Sequence, residues 1–339
     1  MSAKNFRRAV TLGFGDVTRK KIKPALDQLL DKHRLDDVLY ADIVPDDCIR
    51  QMFPKINYLQ TGGVDVIEQE LGERGWLGED VLALICTSTK FHVPYALALQ
   101  HSVGAIAGEK PLSLNSAEAR LLLPLEHKFI AIEHQVYKRE SMEFINRSRR
   151  GDVDWSAVRH ATFRLQEVSN QGKRFVDDIV FDTGYHGLAM IVAALSQRVQ
   201  PTIRTERSRV SRYCDDPMPR NFTAAAVEGV ISGAGIEFSF ELLVGKALHA
   251  ERKGLTLYSE NGVIADVNME ESGYEPHLRV IERVLDHGQP LLSLRDSIGI
   301  VAACEEAMGM AEIMADYEQG ERLSWLESAF EPRGRRSAA

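Results

Sequence analysis

Residues 81–111 read VLALICTSTKFHVPYALALQHSVGAIAGEKP and hold two unbroken apolar runs, 81–86 and 103–107, on either side of a helical pattern over 94–100. A strand buried on both faces carries such a run, and two parallel strands need a crossover helix between them. The rhythm continues outward: 9–12 reads as a strand, 17–30 as a helix, 38–44 as a strand, 64–73 as a helix and 129–132 as a strand. Repeated strand and helix units predict an α/β domain with a doubly wound, Rossmann-type parallel sheet over residues 1–133.

From residue 134 the character changes. Longer runs with period-two features cover 161–167, 223–227, 236–244 and 255–258, and turn residues such as Glu260-Asn261-Gly262 separate them. They predict an α+β domain over 134–330 with an open, mainly antiparallel sheet. Helices are expected over 277–285 and 296–314, the second capped by Ser293 or Asp296. The tail 331–339 reads as disordered.

Composition narrows the function classes. The 339 residues are 44% hydrophobic and 27% charged, which suits two ordinary globular domains with their own cores. Acidic residues outnumber basic ones 49 to 41, for a net charge of -8, with no long Lys/Arg run outside the ends. A nucleic-acid partner is therefore not expected. Cys48, Cys86, Cys214 and Cys304 lie far apart, and His92 and His101 give no compact ligand set, so neither a disulfide framework nor a metal site is predicted. The start MSAKNFRR leads into no apolar leader core, and the longest apolar stretch, 187–195, is about half the roughly 20 residues of a membrane span. A cytoplasmic protein without membrane contact is the expectation.

After the first strand comes Gly13-Phe14-Gly15-Asp16-Val17-Thr18. Gly13 permits a tight turn, and Gly15 lets the backbone of Gly15, Asp16 and Val17 approach a pyrophosphate at a helix N-terminus. Thr18 stands where the dinucleotide fingerprint has its third small residue. A plain turn is the other reading of these glycines. Asp42 closes the second strand where an adenosine ribose would lie; it either accepts from the ribose hydroxyls, favouring NAD over NADP, or is a solvated or capping carboxylate.

Thr87-Ser88-Thr89, His92 and Glu109-Lys110-Pro111 in order after this turn, followed by Asp182-Thr183-Gly184-Tyr185-His186, resemble the glucose-fructose oxidoreductase and inositol dehydrogenase family (Gfo/Idh/MocA). A partial resemblance to glucose-6-phosphate dehydrogenases lies in Gly15-Asp16, in residues 19–26 and in residues 133–138, Glu-His-Gln-Val-Tyr-Lys. Thr18 and Ser88 depart from the first family's pattern. That resemblance implies cofactor contacts from Thr87, Ser88, His92, Glu109 and Lys110, a catalytic set of Lys110, Asp182 and His186, and a last helix (296–314) returning to the first domain. The second resemblance implies Glu133 in place of Asp182 as the orienting acid.

Chemistry supports the same residue types. Alcohol oxidation needs a base of near-neutral pKa at the hydroxyl, which His186 supplies, a carboxylate to orient it, and a cation such as Lys110 to stabilise the developing alkoxide. Substrate contacts are expected from Lys110, Glu133, His134, Lys138, Tyr185 and His186. His134 and Lys138 either bind a phosphate or are solvated, and Tyr185 either stacks on a sugar ring or packs on the sheet. Asp177, Asp178 and Asp182 make one wall acidic, while Lys173 and Arg174 sit in a loop able to cover a cleft. That wall suits a polyol, cyclitol or amino sugar, in a context such as antibiotic biosynthesis, better than a sugar phosphate. Two rival readings are a sugar-phosphate dehydrogenase and a non-catalytic, NAD-sensing regulator. A homodimer or homotetramer through the open sheet is implied by the resemblance.

Overall fold

In the computed structural model, which describes residues 6–168, 177–196, 199–215, 221–286 and 290–327, the chain divides into two compact units. The first joins Met1–Tyr137 to Ser272–Arg295, and the second joins Lys138–Glu271 to Asp296–Ala339. Lys173, Arg174 and the tail 331–339 lie outside the described residues.

The first unit is built on strands Arg8–Leu12 (β1), Asp37–Asp42 (β2), Tyr58–Gln60 (β3), Gly78–Ile85 (β4), Val103–Glu109 (β5) and Phe129–Ile132 (β6). All pair in parallel, in the order β3-β2-β1-β4-β5-β6. Helices Lys23–Asp31 (α1), Asp46–Met52 (α2), Val64–Glu73 (α3), His92–Leu99 (α4) and Ser116–Ala119 (α5) alternate with them. Strand order reverses at β1, between β2 and β4, so a crevice opens at the carboxyl ends of these strands. The buried residues Val10, Leu39, Leu82, Leu84 and Ile106 account for the apolar runs seen in the sequence.

The second unit holds helices Arg139–Arg150 (α6) and Tyr185–Leu195 (α7) and a mixed sheet. Its strands are His160–Gln166 (β7), Thr202–Ser211 (β8), Ala224–Gly233 (β9), Ile236–Gly245 (β10), Arg252–Ser259 (β11) and Gly262–Asn268 (β12). After them come helices Glu275–Leu285 (α8), in the first unit, and Leu294–Gly309 (α9), and then the short strand Glu312–Ile313 (β13). The sheet runs β12-β11-β7-β10-β9-β8-β13, antiparallel except at β7·β10 and β8·β13. The α7 helix lies directly on β7 and β10, where a Cβ on Gly187 would come within 2.6 Å of Phe163 and 2.7 Å of Leu242. On the other face, Tyr317, Leu323 and Leu326 pack with Ala224, Ala226 and Leu243, so the chain's own C-terminal segment covers part of that surface.

Several boundaries differ from the sequence reading. The helix expected over 17–30 opens with a wider π-helical turn, Thr18–Ile22, before α1. The helix expected over 296–314 stops at Gly309, and β13 then pairs beside β8. Residues 296–309 of that helix group with the second unit, where the Glu306 carboxylate accepts the Thr205 N–H at 2.9 Å and the Cys304 thiol reaches the Val180 carbonyl at 3.6 Å. The segment that rejoins the first unit is 272–295, and residues 134–137 stay with that unit too. Arg279 on α8 donates to the Tyr137 carbonyl at 2.8 Å, and the Tyr137 hydroxyl accepts the Leu291 N–H at 3.1 Å. Among the described residues, no helix is long and apolar enough to cross a membrane.

Gly187→Ala is expected to destabilise the protein by about 1–3 kcal/mol, because overpacking against two core side chains outweighs the helix propensity gained. Denaturant midpoints of the two proteins measure this; an unchanged midpoint contradicts the packing described.

Candidate active site

The turn after β1 is dictated by sterics. Gly13 sits at φ +92°, and a Cβ there would lie 2.5 Å from the Cys86 carbonyl oxygen, so only glycine lets β1 pass this close to the end of β4. Phe14 follows, its ring edge-on to Tyr40, Phe53 and Tyr58 at centroid distances of 5.2–6.0 Å. Its backbone N–H donates to Asp42, whose second carboxylate oxygen accepts the Val44 N–H at 3.1 Å. Gly15 has no atom within 4 Å of where a Cβ would stand, which leaves its backbone open to approach.

Thr18 resolves its departure from the fingerprint locally. It is fully buried, and its hydroxyl donates to the Gly13 carbonyl at 2.7 Å, tying the helix start to the turn. Gly13, Gly15, Asp42, Thr87 and Ser88 all line one cavity of about 230 Å³. Its wall also includes Phe91 and Tyr95, stacked at 5.4 Å, which sequence reasoning missed. Their spacing of four at a helix start was the available signal. Beside the cavity, burial and the Asp42 carboxylate push the Tyr58 phenol up to about 12, so it remains a neutral donor to the Val44 carbonyl at 2.7 Å.

Not every expected cofactor residue faces this cavity. Asp16 and Val17 are exposed, and Asp16 pairs at 2.7 Å with both Lys20 and Arg19, which hold its carboxyl below the usual carboxylate range. His92 is buried beneath the loop: Nδ1 meets the Pro111 carbonyl at 2.8 Å and Nε2 the Thr87 carbonyl at 3.0 Å. Its ring therefore joins the loop at 87 to the turn carrying Lys110. Both neighbours are carbonyl oxygens, so the protonated ring nitrogen donates to one of them.

The carboxyl ends of β5 and β6 carry the next group. Glu109 is buried, and Lys110 follows it, half-buried, before a cis peptide to Pro111. Burial, and then the Glu109 charge, push the Cys86 thiol up. Glu133 is fully buried and accepts the Gln135 N–H at 3.0 Å. The His134 ring stacks on His277 of α8, centroids 4.6 Å apart. His277 had no place in the sequence-based site.

In the second unit, a π-helical turn, Val180–Gly184, leads into α7 and carries Asp182 four residues before His186. That spacing sets them on one side of the helical stretch. His186 is buried, Asp182 partly so, and the Asp182 N–H donates to the Asp178 carbonyl at 2.9 Å. The Asp178 carboxylate accepts the Phe222 N–H at 2.8 Å, and burial raises its pKa above the ordinary value. Tyr185 is fully buried. Lys138 is buried and its ammonium donates to the Met269 carbonyl.

No family model matches the chain, and no curated protein sequence does. Solved structures do match. GenD2 from gentamicin A biosynthesis, solved with NAD, superposes with a TM-score of 0.68 at 14% identity, over 91% of this chain and 95% of that one. Glucose-6-phosphate 1-dehydrogenase from Mycobacterium avium gives 0.67 at 15% identity, over 93% and 94%. A myo-inositol dehydrogenase from Corynebacterium glutamicum gives 0.65 at 10% identity, over 90% and 96%. Two others among the matches carry NADP. At these identities the likeness establishes a shared fold.

The bridge made by His92 is testable by its loss: His92→Ala is expected to lower the denaturant midpoint by separating the loop at 87 from the turn after Glu109, and an unchanged midpoint contradicts the contacts described.

Proposed function

We propose that this chain is an NAD-dependent dehydrogenase that oxidises a secondary ring hydroxyl of a sugar, amino sugar or cyclitol to a ketone. The observation that carries the reading is the crevice at the strand-order reversal, where Gly13, Gly15 and the Asp42 carboxylate line one cavity. These residues fit a dinucleotide: a turn without side chains for the pyrophosphate and an oriented carboxylate for the ribose hydroxyls. The carboxylate would repel a 2'-phosphate, which favours NAD over NADP. When bound, the nicotinamide supplies the hydride acceptor.

The remaining chemistry falls to side chains. His186 takes the hydroxyl proton, Asp182 orients its imidazole and stabilises the imidazolium, and Lys110 stabilises the alkoxide as it develops. Support comes from the ordered motifs, from the buried His186 with Asp182 four residues before it, and from the fold shared with GenD2 and a myo-inositol dehydrogenase. GenD2's gentamicin origin is also the support for an amino sugar substrate and an antibiotic pathway. We further place a homodimer or homotetramer at the sheet of the second unit, with a cytoplasmic location.

The second reading, a sugar-phosphate dehydrogenase, draws on the fold shared with glucose-6-phosphate dehydrogenase. It assigns Lys138 to a phosphate, whereas that ammonium bonds the Met269 carbonyl.

Nicotinamide absorbance across a panel of sugars, amino sugars, cyclitols and sugar phosphates separates the readings. A neutral or amino substrate is expected to be turned over. His186→Ala should then lower kcat by about 10²–10⁴ and Lys110→Ala by about 10²–10³, with NAD affinity of the His186 variant unchanged. Turnover confined to sugar phosphates favours the second reading, and NAD binding without turnover of any substrate favours a sensor.

A further inference from the structure

We propose that Asp178 is a positioning residue for Asp182 and His186, its carboxylate fastening the helical turn that carries Asp182 to the residues leading into β9; this rests on the catalytic reading above. Asp178 stands just before the π-helical turn Val180–Gly184, and its backbone carbonyl accepts the N–H groups of Phe181 and Asp182, both at 2.9 Å. Its carboxylate reaches the Phe222 N–H at 2.8 Å, and the Ile179 N–H donates to the Phe222 carbonyl at 3.0 Å. One side-chain bond and one backbone bond thus join the start of the turn to a segment more than forty positions away in the chain.

The far end of this clamp is itself fixed. Thr223, next to Phe222, is fully buried; its N–H donates to the Ser211 carbonyl at the end of β8, and its carbonyl accepts the Lys246 N–H just beyond β10, both at 3.0 Å. Its hydroxyl accepts the Tyr213 N–H at 2.7 Å. The Arg212 guanidinium covers the Phe222 ring, 4.4 Å from its centroid. Whatever Phe222 holds is therefore held against three strand ends.

The near end is where the hold matters. Residues 179–195 are buried throughout apart from Asp182, so that position is where the stretch opens. A π-helical turn replaces the ordinary i to i+4 ladder by longer bonds, and such turns recur at functional sites. One turn further on, Gly187 seats α7 closely on Phe163 and Leu242. Asp182 and His186 thus lie between two fixed points, the Asp178 clamp and the Gly187 seat. Releasing the first lets the turn shift, and a displacement of about 1 Å at reacting groups can cost about a hundredfold in rate.

Two variants separate the clamp from general packing. Asp178→Ala removes the acceptor, whereas Asp178→Asn keeps an oxygen for the Phe222 N–H. Amide hydrogen exchange of the full chain is read over 179–186, with β1 and β4 as internal controls. In Asp178→Ala the 179–186 amides are expected to exchange about tenfold faster or more while the controls are unchanged, and in Asp178→Asn to stay near wild type. With a substrate identified by the panel above, Asp178→Ala should lower kcat about tenfold or more at unchanged KM and NAD affinity, and Asp178→Asn should recover most of that loss. Unchanged exchange or unchanged kcat in Asp178→Ala overturns the role, as does an equal loss in both variants, while His186→Ala separately decides the catalytic reading. If wild type turns over no substrate, that reading fails and exchange alone decides the clamp. Should Asp178→Ala not fold, Asp178→Glu decides, since it keeps the charge but displaces the carboxylate: faster exchange over 179–186 supports the clamp, and wild-type exchange overturns it.

Discussion

The crevice of the first unit depends on one hydrogen bond, from the Phe14 backbone N–H to the Asp42 carboxylate. It joins the turn after the central strand to the end of its neighbour and fixes the carboxylate with a second backbone donor, Val44. The turn can approach only because Gly13 has no Cβ to meet the Cys86 carbonyl, so β2, β1 and β4 converge on one point. Phe14 then anchors the turn by burying its ring among three others. A rigid loop of this kind gives a ligand a preformed surface at small ordering cost.

Around that point the polar residues serve each other before they serve a ligand. Thr18 bonds the Gly13 carbonyl, His92 bridges two carbonyls, and His277 faces Glu109. Each is buried and each links two segments, so the loop ends are set by a connected network and not by single contacts.

How far the sequence was legible depends on how each element is buried. Strands β4, β5 and β6 carry apolar runs, and β1 one broken by the buried Thr11, because both faces of the parallel sheet are covered, and they were readable. Helix α6 was not, since half its residues are charged and only Ser141, Phe144, Ile145 and Ser148 are buried. Strand β8, with Arg204, Arg207 and Arg209 along it, hid its pattern in the same way. That Gly13, Gly15 and Asp42 meet at one cavity was legible because a tight turn after a strand marks itself by glycine and the neighbouring strand ends beside it. His277 was not, because nothing local in α8 marks a residue whose partners sit at the ends of β5 and β6. The fate of His92 was equally hidden: the motif showed its position, while only coordinates show both ring nitrogens on backbone carbonyls.

The central claim is that an anchored Asp42 makes this crevice a site for NAD. Dissociation constants for NAD and NADP, measured on wild type and on Asp42→Ala, test it most directly. Wild type is expected to bind NAD at least about tenfold more tightly than NADP, through loss of ribose bonds and repulsion of the extra phosphate, and the variant to lose that preference. Equal affinity of wild type for both, or no binding of either, contradicts the account.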